Sequence, residues 1–154
     1  MKDLAIAGIT IISGLAKGID GIAHRTTIEA GGRTIAVLGS GLDVVYPAGH
    51  RALAQKISET GVLMSEFPLG TKPNARNFPR RNRILSGLSL GVLVVEAPLD
   101  SGVMHTVRFA LEQGRDVFTI PGSIFSTSSL GSNRLIQDGA KLVTDAADVL
   151  EELN

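Results

Sequence analysis

Gly91-Val92-Leu93-Val94-Val95-Glu96, then Val103 to Gln113, then Val117-Phe118-Thr119-Ile120, is the stretch whose reading decides the fold. A short β-branched run is followed by a helix-length amphipathic segment stopped by Gly114. A second β-branched run then ends at Pro121-Gly122. A helix between two such runs is a crossover that returns the chain to the same edge, so the two strands lie parallel. Val92 to Val95 is apolar without alternation, as in a strand covered on both faces.

The same unit recurs on either side. Upstream, strands are expected at Ile9–Ile12, Thr34–Leu38 and Val62–Met64, with helices at Ile19–Ala30, Gly49–Glu59 and Arg80–Leu88. Gly31-Gly32 and Gly61 supply stops, and Pro79 suits the first turn of the third helix. Downstream, a Ser/Gly loop from Ser123 to Ser132 precedes a short helix at Asn133–Asp138. A strand at Leu142-Val143 and a last helix at Ala146–Leu153, capped by Thr144 or Asp145, complete the chain. This alternation predicts an α/β fold, a doubly wound, mostly parallel sheet with helices on both faces. Ligands of such sheets sit outside the carboxyl ends of the strands. Ser13-Gly14, Gly39-Ser40-Gly41, Ser65-Glu66, Ala97 to Gly102 and Pro121-Gly122 are all placed there.

The composition agrees. The 154 residues are 44% hydrophobic but only 4% aromatic, with 18 Gly, which suits Val/Ile strands under Ala/Leu helices. With no Cys, disulfides and thiolate chemistry are excluded. The apolar run at the N-terminus is too short for a signal peptide, and no segment is long and apolar enough to be a membrane span. A cytoplasmic protein is expected.

Charge is neutral overall, 15 Lys+Arg against 15 Asp+Glu, but unevenly placed. Phe67 to Val95 has no acidic residue, yet Lys72, Arg76, Arg80, Arg81 and Arg83 fall in it, around Phe78 and Asn82. Cations without local counter-charges attract phosphate, and a neighbouring ring and amide suit bases. Glu66 and Glu96, each just after a strand, are expected to orient arginines by ion pairing rather than to act as acid or base.

Ser13-Gly14-Leu15-Ala16-Lys17-Gly18-Ile19-Asp20 is a Gly-rich turn from strand to helix. Its backbone N–H groups and Lys17 suit an anion, and a tight turn with Asp20 favoured by the helix dipole suits the residues equally. It is neither a P-loop nor a dinucleotide fingerprint. Gly39-Ser40-Gly41 lacks a third Gly and reads as a compact turn. Asp20 and His24, four apart on one helix face, are read as a supporting pair, since a Ser/His/Asp triad with Ser13 needs a different geometry. His50 and His105 stand alone, so neither a metal site nor a cofactor is expected.

Three segments together resemble the DNA-processing protein A family (DprA, also called Smf): Ser13 to His24, Phe78 to Ser89, and the tail through Ser101-Gly102, Gly114-Arg115, Pro121-Gly122, Gly131, Leu135-Ile136 and Gly139-Ala140. The resemblance implies an extended Rossmann-like domain that binds single-stranded DNA without catalysis, forms a homodimer and delivers strands to the RecA recombinase in natural transformation. Its motif residues are matched by Lys17, Phe78, Arg81 and Asn82, and on their chemistry Lys17, Arg81 and Arg83 are expected to take phosphates, Phe78 to stack, and Asn82 to orient the loop or a base. Arg76 and Arg80 join the basic site, and Ser13, Gly14 and Gly18 offer backbone N–H groups. Departures are Lys17 where Arg is usual, Ala75 where many members have a basic residue, and Val103 and Val107 where small residues are usual. Against the family pattern, residues 1–154 read as one partial domain without the usual first strand–helix unit or a following winged helix. Two other readings stand beside this one. A nucleotide-cleaving phosphoribohydrolase lacks its motif here, because Pro121-Gly122 runs into Ser123-Ile124-Phe125. A scaffold that no longer binds DNA is the other.

Overall fold

A computed structural model describes residues 1–153, which divide into two compact units, 1–85 and 86–153. In the first unit, helix α1 (Lys2–Ile6) leads into strand β1 (Ile11–Ser13), helix α2 (Ile19–Glu29), strand β2 (Thr34–Val37), helix α3 (Arg51–Thr60) and strand β3 (Val62–Met64). The strands form a parallel sheet in the order β1-β2-β3, with Ile11 opposite Thr34 and Ile35 opposite Val62. Helix α4 (Asn77–Gly87) spans the boundary. The second unit repeats the scheme with β4 (Gly91–Val94), α5 (Val103–Glu112), β5 (Asp116–Thr119), α6 (Leu130–Gln137), β6 (Lys141–Leu142) and α7 (Ala146–Glu152). Its parallel sheet runs β4-β5-β6. The expected alternation and parallel pairing are therefore present in each unit.

Each sheet is covered by the helices its crossovers supply. In the first unit Leu15, Ala36, Leu38, Leu53, Ala54 and Ile57 form one buried cluster. Leu53, Ala54 and Ile57 lie on one face of α3 because positions i, i+3 and i+4 share a side of a helix. Gly61 ends α3 where a Cβ would stand 2.0 Å from the Thr34 carbonyl oxygen, so only glycine lets the chain turn so close to β2. In the second unit Val94, Ala97, Val107, Ala110 and Val117 form the core, with Val103 packed against it. The two valines that depart from the family pattern thus fill space between α5 and its own sheet.

Some boundaries differ from expectation. Helix α4 starts at Asn77, three residues before the predicted Arg80, because Asn77 N–H donates to the Asn74 carbonyl (2.9 Å) and begins the turn early. Helix α6 starts at Leu130, inside the predicted Ser/Gly loop, after a short 3₁₀ turn at Thr127–Ser129. Asp145, not Thr144, caps α7, accepting from the Ala147 and Asp148 N–H groups while Asp148 reaches back to the cap in a capping box. Among the described residues no helix is long and apolar enough to cross a membrane, and no group of three or more His, Cys, Asp or Glu could hold a metal ion.

Candidate nucleic-acid interface

Parallel pairing puts the carboxyl ends of β1, β2 and β3 on one edge of the first unit. Three loops leave that edge: 14–18, 38–47 and 65–76. Helix α4 begins directly after the third, and the side-chain contacts of α4 join it to all three strand ends.

Arg80, Arg81 and Arg83 are near neighbours in sequence, but the helical period separates them. Phe78, Arg81 and Asn82 share one face, and Arg80 and Arg83 another. Arg81 turns inward and is 4% exposed. Its Nη1 donates to the Gly14 carbonyl (2.9 Å) and to the Val37 carbonyl, and its Nε donates to Asn82 Oδ1 (3.1 Å). Burial holds its pKa below the ordinary arginine value, opposed by the nearby Asp20 carboxylate. The expectation that Arg81 takes a phosphate meets a guanidinium that is buried and already bonded to two main-chain carbonyls. Its guanidinium ties the ends of β1 and β2 to the first turns of α4, and Asn82 helps to orient it.

Gly14 is the counterpart of that arginine. A Cβ there would lie 2.4 Å from Arg81 Nη2 and 2.6 Å from Cζ. The Gly14 and Ala16 N–H groups donate to Asp20 Oδ2 at 3.1 and 3.0 Å. The turn thus closes on a carboxylate of its own helix, and the Gly14 N–H expected to face a ligand is bonded to Asp20. Leu15 sits between them in the left-handed region (φ 59°), fully buried. Ser13 ends β1, half-buried. Lys17 and Gly18 lie on the exposed outer part of the turn, Gly18 with φ 84° at the start of α2.

His24 supports the turn from below. Its Nδ1 is 2.6 Å from Thr34 Oγ1, and that hydroxyl donates to the Ile11 carbonyl (2.7 Å). The hydroxyl has one proton, so Nδ1 must be the donor to it. Nε2 is buried with no hydrogen-bond partner. Burial lowers the His24 pKa to about 4; nearby Asp20 raises it and His50 lowers it further. His50 Nδ1 donates to the Leu15 carbonyl (2.9 Å). Asp20 and His24 are a supporting pair, as the sequence suggested, with different partners rather than a relay.

Phe78 lies half-buried at the edge. Gly39 is its floor: a Cβ there would stand 2.8 Å from the ring's Cδ1. Asn77 Nδ2 donates to the Gly39 carbonyl (3.1 Å), fixing the start of α4 to the end of β2. The Arg81 guanidinium carbon is 5.9 Å from the Phe78 centroid, and the Tyr46 ring is 5.8 Å away, tilted 40°.

Arg80 and Arg83 face Glu66. Arg80 Nε is 3.4 Å from Oε1, and Arg83 Nη2 pairs with Oε2. The Arg80 guanidinium also lies 5.6 Å from the centroid of the Phe67 ring. Glu66 orients arginines as expected; the counter-charge missing from 67–95 stands one residue before it. Glu96 does not follow suit, since its Oε1 accepts from Ser128 Oγ in the second unit. Arg76, like Lys72, is exposed on the loop leading into α4, where Asn74 Oδ1 accepts from the Arg76 N–H (2.9 Å).

The structure thus brings Gly14, Phe78, Arg81 and Asn82 into contact and sets Arg80 and Arg83 around Glu66. Of the two readings of residues 13–20, the tight turn with Asp20 is the one seen, closed by hydrogen bonds the sequence did not specify. Sequence reasoning missed the Gly39 floor and the Tyr46 neighbour, which no local pattern carries.

Known proteins resemble this chain along its whole length. The family model for DNA recombination-mediator protein A matches residues 1–154. Protein Smf of Escherichia coli K12 is 56% identical over 153 residues, 99% of this chain and 41% of that protein. DNA processing protein DprA of Streptococcus pneumoniae R6 is 51% identical over 144 residues, 94% of this chain and 51% of that protein. The chain therefore spans about half the length of the curated relatives it matches. The X-ray structure of DNA processing protein A from Streptococcus pneumoniae superposes with a TM-score of 0.91 at 47% identity, covering 99% of this chain and 56% of that one. DNA processing protein A from Helicobacter pylori, whose structure describes a single-stranded DNA binding mode, gives a TM-score of 0.89 at 30% identity, covering 99% and 69%.

Proposed function

The chain belongs to the DNA recombination-mediator protein A family, and from that premise we propose that it binds single-stranded DNA, without sequence preference and without catalysis, at the carboxyl edge of β1–β3. The observation that carries this is the edge-mounted Phe78 ring, seated on Gly39, amid exposed basic side chains. A phenyl face accepts any base, and cations beside it follow the backbone.

Lys17, Arg76, Arg80 and Arg83 are the residues we assign to phosphate, with Ser13 and Gly18 available to approach the backbone closely. Arg81, Asn82 and Gly14 position the platform. Glu66 holds Arg80 and Arg83 until phosphate competes for them. The wider role we infer is that of a cytoplasmic homodimer that passes incoming strands to the RecA recombinase during natural transformation.

Fluorescence anisotropy of labelled oligo-dT at several salt concentrations tests the reading. With three to five phosphates neutralised, log K falls against log salt with a slope of roughly −2 to −3.5. The Lys17→Ala, Phe78→Ala double variant loses most of the affinity. A salt-independent affinity, or no binding by the folded parent chain, overturns the proposal.

A further inference from the structure

The first unit uses its aromatic residues in an unusual way. Residues 1–85 contain Tyr46, Phe67 and Phe78 and no other aromatic. None belongs to that unit's core cluster, which is aliphatic throughout. In the second unit Phe118 is fully buried, Phe109 half-buried and Phe125 exposed. Aromatic rings are ordinarily among the largest contributors to a core. Here all of them stand at one edge, in or beside the loops that follow the strands.

Tyr46 is 48% exposed, and its ring meets Phe78 at 5.8 Å with a 40° tilt. The loop that carries it is fixed. Ser40 Oγ donates to the Val44 carbonyl (2.6 Å), Val44 N–H to the Gly41 carbonyl (2.9 Å), and Gly41 N–H to the Thr71 carbonyl (2.9 Å). Just past Tyr46, His50 N–H donates to the Pro47 carbonyl (2.9 Å). A ring held this way adds contact area at little entropic cost. Two tilted rings whose centroids are this close leave no slot for a base between them. They offer adjoining faces to neighbouring bases instead.

We propose that Tyr46 is a second base-stacking residue, so that the ligand of this site is a strand presenting at least two adjacent unpaired bases, one on Phe78 and the next on Tyr46. This rests on the single-stranded DNA reading above and adds the residue that extends it along the strand.

The chain has one Tyr and no Trp, so its tyrosine fluorescence reports on Tyr46 alone. Oligo-dT and an abasic oligonucleotide of equal length are titrated while anisotropy follows binding. Bound oligo-dT quenches the tyrosine emission; bound abasic strand leaves it unchanged. Tyr46→Ala weakens oligo-dT binding by about 5- to 150-fold and leaves the abasic affinity and the salt slope as in the parent. Tyr46→Phe retains the parent affinity, because the ring and not the hydroxyl makes the contact. Unchanged emission with oligo-dT bound, or parent affinity in Tyr46→Ala, overturns the assignment while the DNA reading stands. An equal loss of abasic affinity in Tyr46→Ala also overturns it, since that marks collapse of the loop. Failure of the parent to bind oligo-dT at all sinks both together.

Discussion

Replacing Arg81 by Gln separates two jobs that an arginine in this motif could have. Its guanidinium is 4% exposed and donates to the carbonyls of Gly14 and Val37. Glutamine is shorter and lacks the fork, so both buried acceptors lose their donor. Each orphaned acceptor costs about 1–3 kcal/mol. Release of a buried cation, whose charged form burial already disfavours, offsets part of this. The net loss expected is about 2–4 kcal/mol, which for a chain of this length lowers Tm by roughly 5–15 °C. Because the Arg81 guanidinium is buried and bonded to two carbonyls, the salt slope of oligo-dT binding, measured on the folded fraction below Tm, stays as in the parent. The exposed Arg76→Gln behaves in the opposite sense: Tm is unchanged and the slope becomes shallower by about 0.7. Thermal unfolding followed by circular dichroism, paired with anisotropy at several salt concentrations, reads both quantities. An Arg81→Gln protein with parental Tm and a slope shallower by about 0.7 would refute the reasoning and return Arg81 to the phosphates.

Gly39→Ala places a Cβ 2.8 Å from the Phe78 ring, so the ring must shift; anisotropy should show weaker oligo-dT binding with an unchanged salt slope, and unchanged affinity would discount Gly39 as the floor. Glu66→Gln takes the carboxylate away from Arg80 and Arg83, so oligo-dT binding tightens and the salt slope steepens by up to about 0.7 for each arginine that turns to phosphate. Weaker binding would mean that Glu66 positions the arginines rather than competing for them. His24, with its pKa lowered from 6.5 to about 4, is neutral when folded and protonates more readily when unfolded. The unfolded state therefore binds more protons below pH 6.5, and stability falls as pH drops towards about 4, by about 3 kcal/mol over that window. Urea midpoints across this range should show the slope in the parent and a shallower one in His24→Gln.

Much of the architecture was legible because it depends on short-range pattern. Val92 to Val95 and Val117 to Ile120 announce strands by β-branching, and Gly31, Gly61 and Gly114 mark where helices must stop. A helix-length connection between successive strands is the crossover that parallel pairing requires. Glu66 and Glu96 read alike, each just after a strand, but only Glu66 meets arginines, because α4 begins beside its strand end. The start of α4 was misplaced because the Asn77 N–H closes a turn on the Asn74 carbonyl while its side chain is held by Gly39, 38 residues away in the chain.

By itself, then, the sequence determined a parallel α/β chain with a basic, ring-bearing segment after the third strand and a Gly-rich turn after the first. Only tertiary structure decided what those residues do. Arg81 reaches Gly14 across 67 positions and Val37 across 44, and the register of β1 with β2 is what sets those carbonyls side by side. Helical phase then turns Arg81 inward and its neighbours Arg80 and Arg83 outward. Charge is a property of composition, but whether a cation meets a carbonyl, a carboxylate or a phosphate depends on where folding puts the nearest oxygen.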